Sequence, residues 1–493
     1  MPPRAGFRRL SGQDAAFLSF ERAGRPMHIG AVAFFPTSAW RDADGGFDAA
    51  RLVQTLAARA RAVPGLDQRL AKAPLSGWPI WVSDQSLTLE SCIEVRPPVD
   101  SAEDVRAIAE TAMATHMDRA RPLWRVLVVP GVDNGERFAL VFLVHHALVD
   151  GIAAMDLMAR LLDPRKGMPE ARPAPHGLVP SDRRMRVAEF ARWVELPTLL
   201  VLKAASLATN RRRSRRTLRR GVALVRTCVR LLTPGPKTAL RGRNEGVRNV
   251  AWFSFDERQL RLVRERLDGT PNDIVLAAVA LAVSKTGGGS PFLPFRKLRA
   301  AVPVSFRTRA ERYELGNRIG LLLTPLEVHD RNAGRSVAQI RRHTALQKRR
   351  GDAEGYEVLT ELTAWTGQWS QRLLHWLAGT LNSYGILVTT VPGPTRPYTL
   401  GGAELTEMYP LVPLFGAQSV SVAVIRYRGA FRVGVTSSWA SRAMVEQFAV
   451  NLEAAFIDLT HATVEADSAP ERRFGGWAPG DRRTPSPQGM LDA

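Results

Sequence analysis

The stretch FALVFLVHHALVDGIAAMDLMA, residues Phe138–Ala159, constrains the fold of this chain more than any other. Seven unbroken apolar residues open it, long enough for a buried strand and far too short to cross a membrane. Two histidines, an aspartate and a glycine follow, and the apolar positions beyond Gly151 then recur at helical spacing. The pattern predicts a buried strand, a short polar loop and a helix. Functional side chains are often carried on such loops, because the rigid elements on either side hold them in position.

The polar groups of this loop favour general-base catalysis. His146 precedes Asp150 by four residues, so a tight turn brings the two side chains close together. An imidazole with an ordinary pKa of roughly 6.5 is partly neutral at physiological pH and accepts a proton from a hydroxyl group. A structural histidine and a metal site stay open as alternatives from the residues alone. Zinc takes three or four ligands, and no nearby cysteine or third histidine completes such a set, so we predict no metal.

His145-His146-Ala-Leu-Val-Asp150-Gly151 resembles the HHxxxDG signature of the CoA-dependent acyltransferase superfamily. Seven further segments are similar, in the same order, to landmarks of one branch, the bacterial wax ester synthase/diacylglycerol acyltransferases. The resemblance runs from about residue 8 to about residue 460. In chain order the segments are LSGQDAAFL (Leu10–Leu18), PMHIG (Pro26–Gly30), Pro122-Leu123-Trp124, Asn272-Asp273, VPVS (Val302–Ser305), Gly316-Asn317 and VPGP (Val391–Pro394).

The resemblance implies that an acyl group passes directly from acyl-CoA, as co-substrate, to the hydroxyl of diacylglycerol, of a long-chain alcohol or of both. It implies no other cofactor. His146 is then the general base and His145 has a supporting role. Asp150 is implied to pair with an arginine from the other half of the chain, and Arg307 stands in position to be that partner. The sequence has no G-x-S-x-G elbow, which argues against an α/β-hydrolase.

The remaining landmark residues are expected to support the site. Asn272 is our candidate for the oxyanion donor, although a structural role at the start of its helix is equally open. Thr390 stands where family members commonly carry asparagine, and this departure bears on substrate preference. The other expected supporting residues are Gly151, Asp273, Pro122, Leu123 and Trp124.

Two other functions are weighed beside this one. The first is an acyltransferase that esterifies a polyketide or glycolipid alcohol from a carrier-bound donor. The second is a catalytically silent scaffold on lipid droplets, and the intact His146 and Asp150 count against it.

Strands and helices alternate in both halves of the 493 residues, which predicts an α/β fold. The resemblance specifies a two-domain sandwich like that of chloramphenicol acetyltransferase, with mixed sheets covered by helices and an active-site channel between the domains. We expect a first domain at 1–180, a basic amphipathic linker at 181–248, a second domain at 249–465 and a disordered tail at 466–493. Within the second domain, Glu354–Leu377 predicts a single helix and Arg442–Thr460 a terminal one.

The segment Arg183–Arg248 has eighteen arginines and lysines against three acidic residues, and so carries most of the formal net charge of +21. Such segments bind anionic lipid surfaces or nucleic-acid phosphates. The apolar stretch Phe190–Thr209 favours lipid, and nothing resembles a nucleic-acid-binding fold, so we expect no nucleic acid. A solvated linker stays open. With only two cysteines and no apolar leader, we expect a cytoplasmic protein bound peripherally to the inner membrane face or to lipid droplets.

Overall fold

The computed structural model describes residues 7–468, apart from 85–86, 163–180, 192–210, 236–239, 241–245, 287–296, 309–310, 312–313, 329–331, 367, 382 and 417. The strands are β1 (Phe7–Arg9), β2 (His28–Pro36), β3 (Gln68–Lys72), β4 (Pro79–Ser83), β5 (Ile93–Val95), β6 (Trp124–Val129), β7 (Arg137–His145), β8 (Asn249–Asp256), β9 (Lys297–Ser305), β10 (Ile319–Glu327), β11 (Ile386–Val391), β12 (Thr399–Leu400), β13 (Ala403–Glu404), β14 (Glu407–Leu411), β15 (Val420–Tyr427) and β16 (Ala430–Ser437). The helices are α1 (Gly12–Phe20), α2 (Ala49–Arg61), α3 (Ala102–Ala114), α4 (Gly151–Leu162), α5 (182–191), α6 (Arg211–Leu232), α7 (Glu257–Leu267), α8 (Pro271–Thr286), α9 (Ala333–Arg350), α10 (Asp352–Thr366), α11 (Gln368–Leu381) and α12 (Arg442–Ser468).

The apolar run that opens the key stretch forms β7, the middle strand of a five-stranded sheet with the order β14-β2-β7-β6-β5. β2 and β6 flank it in antiparallel register. One face of β7 packs into the core that contains α2 and α4, and the other packs against α3. Its side chains are therefore buried on both faces, which explains why the run is continuously apolar rather than alternating. β7 ends at His145, so the polar loop begins at the C-terminal end of this central strand.

The second sheet has six strands in the order β10-β9-β11-β15-β16-β8 and is mixed, since β11 runs parallel to both β9 and β15. Helix α8 lies in the core on one face of this sheet and is buried from Asp273 to Val283, as its uniformly apolar sequence requires. Strands β15 and β16 form a hairpin that closes at Arg428-Gly429. Both residues have positive φ angles, 50° and 70°, which is the turn geometry that two-residue hairpins favour.

The predicted domain boundaries do not separate the two sheets. Strand β14 belongs to the second half of the chain but pairs with β2 in the first sheet, from Glu407 opposite Phe34 to Leu411 opposite Gly30. The same strand lies against β16, where a Cβ atom on Gly434 would come within 1.9 Å of the Pro410 carbonyl oxygen. The two halves are therefore joined by a shared strand as well as by packing.

The basic segment contains two described helices that pack on the rest of the protein. In α5, Glu189 accepts a hydrogen bond of 2.8 Å from the backbone of Leu75 in the first half. In α6, Ala223 and Thr227 face α10 at Gly355, where the helices approach so closely that a Cβ atom would lie within 2.3 Å of both. Residues 163–180 and 192–210, which include the proline-rich boundary and most of the apolar stretch before α6, lie outside the described residues.

Glu354–Leu377 is covered by α10, which ends at Thr366, and α11, which begins at Gln368, with residue 367 outside the described residues. The prediction of the terminal helix needs correction. The terminal helix continues beyond Thr460 to Ser468, so it includes the first residues of the predicted tail; residues 469–493 lie outside the described part of the chain. Within the described residues no single helix is long and apolar enough to cross a membrane. Only α7 and α8 taken together pass that test, as a pair bent by 97°.

Candidate active site

A cavity of about 320 Å³ lies between the two halves and receives side chains from both. His146, Phe17 and Met155 line it from the first half, and Leu387 and Val391 of β11 line it from the second. The channel predicted between the domains is therefore present. Exposed or partly exposed side chains mark two places where the lining meets the surface, namely Trp376, and Arg22 with Arg25.

His146 is held so that one ring nitrogen is free to act as a base. Its Nδ1 lies 3.1 Å from Asn317 Oδ1. The amide nitrogen of Asn317 donates to the His146 carbonyl oxygen at 2.7 Å and to Asp14 Oδ1 at 2.8 Å, which identifies Oδ1 as the acceptor. The imidazole proton therefore resides on Nδ1, and Nε2 keeps its lone pair. Nε2 has no hydrogen-bond partner among the described residues.

Helix α1 clamps this arrangement from the other side. Phe17 stacks on the His146 ring with the centroids 3.8 Å apart and the planes 6° from parallel. Asp14 forms a capping box with Ser11 and accepts hydrogen bonds from both the backbone and the side-chain nitrogen of Asn317. Gln13 brackets Ile319 through the backbone nitrogen and oxygen of that residue. The segment LSGQDAAFL thus joins the histidine to the loop before β10.

Asp150 joins the histidine loop to the second half. Its Oδ2 accepts from Arg307 Nε at 2.8 Å and from the Arg318 backbone at 3.1 Å, and its Oδ1 caps α4 by accepting from Ala153 N. The side chains of Asp150 and Arg307 are 2% and 3% exposed. The expected partner is therefore the one present. Because its oxygens are occupied by donors, Asp150 is a brace rather than a second base.

His145 points away from the cavity and is buried. Its Nδ1 accepts from Ala147 N, which leaves the proton on Nε2, 3.4 Å from a Glu21 oxygen. Hydrogen bonds and charge from His145 and Arg119 hold the pKa of the Glu21 carboxyl well below its usual range, although burial opposes the shift. His28, opposite His145 in the β2–β7 pair, is also buried, and this lowers its pKa to about 3. These residues form a polar layer beneath the base.

The PLW residues build the strand beside the site and do not line the cavity. The Leu123 carbonyl accepts from His145 N at 2.9 Å, and Trp124 Nε1 donates to the Leu66 carbonyl at 2.9 Å. Pro122 is buried just before β6. Gly151 does line the cavity, and a Cβ atom there would lie 3.2 Å from Val391 Cγ2. The glycine therefore keeps the space next to the base narrow but open.

Two of the residues that the sequence singled out do not line the cavity. Asn272 does not line the cavity, because α8 packs on the face of the second sheet that carries Ile386 and Val388, whereas the intervening Leu387 and Thr389 face the cavity. Asp273 is structural and accepts from Thr270 and Thr344. Thr390 is absent from the lining too, and its buried Oγ1 has no partner in the described chain.

Sequence reasoning gave no role to Asn317, Phe17 or Glu21. The segments that contain Asn317 and Phe17 stood out only as landmarks. A Ser-x-x-Asp capping box at Ser11 was the one local signal that α1 begins there. Among the described residues, no group of three His, Cys, Asp or Glu side chains is arranged to hold a metal ion.

Two family models match this chain and show to which family it belongs. The model of the wax ester synthase/diacylglycerol acyltransferase catalytic domain matches residues 10–275, and that of the C-terminal domain of the same family matches residues 315–460. This chain belongs to the wax ester synthase/diacylglycerol acyltransferase family. As a member of this family it is an acyltransferase, and the HHxxxDG loop lies within the matched catalytic domain.

Relatives and solved structures agree with this assignment. The O-acyltransferase WSD of Acinetobacter baylyi is 25% identical over 433 residues, 87% of this chain and 92% of that protein. A Mycobacterium tuberculosis protein that bears the name diacylglycerol O-acyltransferase is 26% identical over 449 residues, 88% of this chain and 87% of its own. The wax ester synthase/diacylglycerol acyltransferase of Marinobacter aquaeolei has the same fold, with a TM-score of 0.62 at 24% identity over 92% of this chain and 99% of that one. The first condensation domain of the calcium-dependent antibiotic synthetase also shares the fold, at a TM-score of 0.57, 15% identity and coverage of 93% and 96%.

Proposed function

We propose that this protein transfers a long-chain acyl group from acyl-CoA to the hydroxyl of diacylglycerol, of a long-chain alcohol or of both, with His146 as the general base. The observation that carries the proposal is the free Nε2 of His146 inside a cavity lined largely by apolar side chains. Family membership and the names of the relatives support the acyl transfer and the two acceptor classes.

The chemistry needs one proton carrier and no covalent intermediate on the protein. His146 Nε2 accepts the proton of the acceptor hydroxyl as its oxygen attacks the thioester carbonyl. The carbon–sulfur bond then breaks, and the protonated imidazole returns that proton to the departing thiolate of CoA. The products are an ester and free CoA, so protons and charge balance over the cycle. Asn317 Oδ1, which accepts from Nδ1–H, stabilises the imidazolium while it exists.

Burial lowers the pKa of His146 to about 4, against the weaker raising effects of Asp150 and Asn317. The ring is thus neutral at physiological pH and ready to accept a proton. Because the base form is lost only on protonation, the rate is expected to be independent of pH above about 5 and to fall as pH drops through about 4.

We propose that the enzyme works at the cytoplasmic face of the membrane or on lipid droplets, where its acceptor is dissolved. The outer face of α6 supports this, since Val222, Val225 and Val229 are 41%, 62% and 58% exposed at helical spacing. Basic side chains of the same helix suit anionic lipid headgroups. Trp369 and Trp376 of α11, a helix that packs against α6, are 69% and 54% exposed, as tryptophans at a lipid interface often are. Trp376 also lines the cavity, so a lipid chain entering beside it would reach His146 without crossing water.

The decisive experiment measures CoA release from palmitoyl-CoA by the full-length protein, with hexadecanol or a diacylglycerol as acceptor. His146→Ala is expected to lower kcat by about 100- to 10,000-fold, the usual effect of removing a general base. His461→Ala, an exposed histidine on α12, is the matched control and should behave as the unaltered protein. Acceptor-dependent release that survives His146→Ala would reject the assignment of the base. No release with either acceptor would reject acyl-CoA and these alcohols as the substrates.

A further inference from the structure

A tight turn at the rim of the cavity gathers three arginines. Arg22 and Arg25 close the turn, with Arg25 N donating to the Arg22 carbonyl at 2.8 Å, and both line the cavity. Arg248 reaches the same turn from the segment before β8 and donates from Nη2 to the Gly24 carbonyl at 3.1 Å. Gly24 has a φ of 68°, the left-handed geometry that the turn requires.

These arginines have no counter-ion in the described chain. None of the three forms an ion pair with a described carboxylate. The adjacent acid, Glu21, lies 2.7 Å from Arg119 and also contacts His116 and His145, so it is committed elsewhere. Arg248 is only 3% exposed, and its Nε has no hydrogen-bond partner. Buried guanidinium groups such as that of Arg248 are normally paired, and no described carboxylate pairs with this cluster.

The repulsion between the arginines is reflected in the pKa values of their guanidinium groups. Burial, together with the charge of Arg25, lowers the pKa of Arg248 to about 10, and burial with the charge of Arg22 lowers the pKa of Arg25. A bound anion would offset both the burial of these charges and the repulsion between them. Arginine binds phosphate groups through parallel hydrogen bonds, which makes a phosphate the best-matched ligand.

We infer that Arg22 and Arg25, whose turn Arg248 holds in place, bind the phosphates of the nucleotide end of acyl-CoA. The inference rests on the proposed function. Arg22 and Arg25 line the same cavity as His146 and lie where its lining meets the surface. A thioester held at His146 can therefore extend its pantetheine arm along the cavity and leave the diphosphate and 3′-phosphate at the rim. A carrier-bound thioester lacks the nucleotide, so this site selects the free CoA ester.

The test measures the contribution of the nucleotide separately from that of the acyl thioester. In the full-length protein, Arg22→Gln/Arg25→Gln is compared with Arg264→Gln, which removes one exposed charge from α7. Calorimetry measures the Kd for 3′,5′-ADP, the nucleotide end without the thioester. Kinetics compare palmitoyl-CoA with palmitoyl-N-acetylcysteamine, the thioester without the nucleotide. The double variant is expected to weaken 3′,5′-ADP binding at least about tenfold and to lower the ratio of the two kcat/KM values, CoA ester over cysteamine ester, by a similar factor. The Arg264→Gln control should change neither.

Several outcomes would overturn the inference. Equal losses with both thioesters would mean that the turn only supports the fold. Unchanged 3′,5′-ADP binding, or a loss confined to binding of phosphatidylglycerol vesicles, would mean that the arginines contact something other than CoA. Arginine-dependent 3′,5′-ADP binding in a protein that transfers no acyl group would retain the site and reject the proposed function, so the two failures are distinguishable.

Discussion

At the scale of single residues, the catalytic proposal depends on which nitrogen of His146 carries the proton. Asn317 decides this, because its own amide protons are committed to Asp14 and to the His146 carbonyl. Only its oxygen remains to face the imidazole. Asn317 is therefore a positioning residue, and Phe17 keeps the ring from tilting.

Asn317→Ala should lower kcat by about 10- to 100-fold, the size usual when a hydrogen-bonded partner that orients a functional histidine is removed. The KM for acyl-CoA should change little, since Asn317 does not line the cavity. Losing the Nδ1 acceptor also removes an interaction that raises the pKa of His146, so the acid limb of the pH–rate profile should move to lower pH. An unaltered profile with a lower melting temperature would indicate a purely structural role.

The family resemblance predicted the pairing of Asp150 with Arg307, because both residues belong to recognisable segments of sequence. It did not foretell the Asn317–His146 contact, since the two residues are separated by 171 positions and nothing local records their meeting. The position of Asn272 outside the cavity lining was not predicted for a different reason. A helix start with an exposed-looking asparagine is the same in sequence whichever face of a sheet the helix covers, and α8 covers the far one.

Two tyrosines give the apolar cavity a polar patch. Tyr356 and Tyr384 both line it, and their hydroxyl groups have no partner among the described residues. Burial raises the pKa of Tyr356 to about 12 and raises that of Tyr384 as well, so both hydroxyls remain protonated donors. A glyceride offers ester carbonyls to such donors, whereas the chain of a fatty alcohol offers none.

Tyr356→Phe/Tyr384→Phe is therefore expected to lower kcat/KM for diacylglycerol by about tenfold relative to hexadecanol. This factor corresponds to the loss of about 1 kcal/mol or slightly more of hydrogen-bond energy. Competition between the two acceptors in one assay measures the ratio directly. Tyr409→Phe, a tyrosine outside the cavity lining, is the control. An unchanged ratio would show that the two hydroxyl groups do not contribute to the selection of the acceptor.

At the scale of elements, α6 has two different faces. Ala223, Thr227 and Leu231 are buried, while Arg226 and Arg230 reach Asp352 at the start of α10. Part of the positive charge of the basic segment therefore holds the helix to its own protein. The apolar stripe on the outer face does not serve that purpose. The sequence predicted a basic amphipathic linker here, but neither the helix nor its partly apolar exposed face. A pattern of apolar and basic residues does not say which face a neighbour covers.

Replacing Val222, Val225 and Val229 by serine should reduce co-flotation with phosphatidylglycerol vesicles at least about tenfold, because each valine loses apolar area that would otherwise be buried in lipid. The melting temperature should hold, since all three side chains are exposed. Leu262→Ser, an exposed residue on α7, is the control. Undiminished flotation would exclude this face as the membrane contact.

At the scale of the whole molecule, the active site exists only where the halves meet. The buried Asp150–Arg307 pair crosses that boundary and fixes the histidine loop to the second half. The predicted division into domains did not include a strand shared between the halves, which the β14–β2 pairing provides. Glu407–Leu411 pairs with β2, which lies near the start of the chain. The sequence of so short a segment does not indicate which sheet it joins.

A double-mutant cycle tests the brace. Asp150→Asn and Arg307→Leu should each lower the free energy of unfolding by about 3–5 kcal/mol, because each leaves a buried partner unpaired. The two losses should be far from additive. Asp268→Asn breaks the exposed pair with Arg341 and is expected to cost less than about 1 kcal/mol. Additive effects at urea-denaturation equilibrium would mean that the residues do not act as a pair.

The shared strand also has a consequence for synthesis. β2 leaves the ribosome with one edge open, and its partner β14 is made only about 370 residues later, roughly 20 to 75 s at common translation speeds. For that interval the nascent chain presents an apolar, unpaired edge, the kind of surface that seeds aggregation. Slower elongation in the second half of the message should therefore lower the yield of soluble enzyme without changing a single contact in the finished protein.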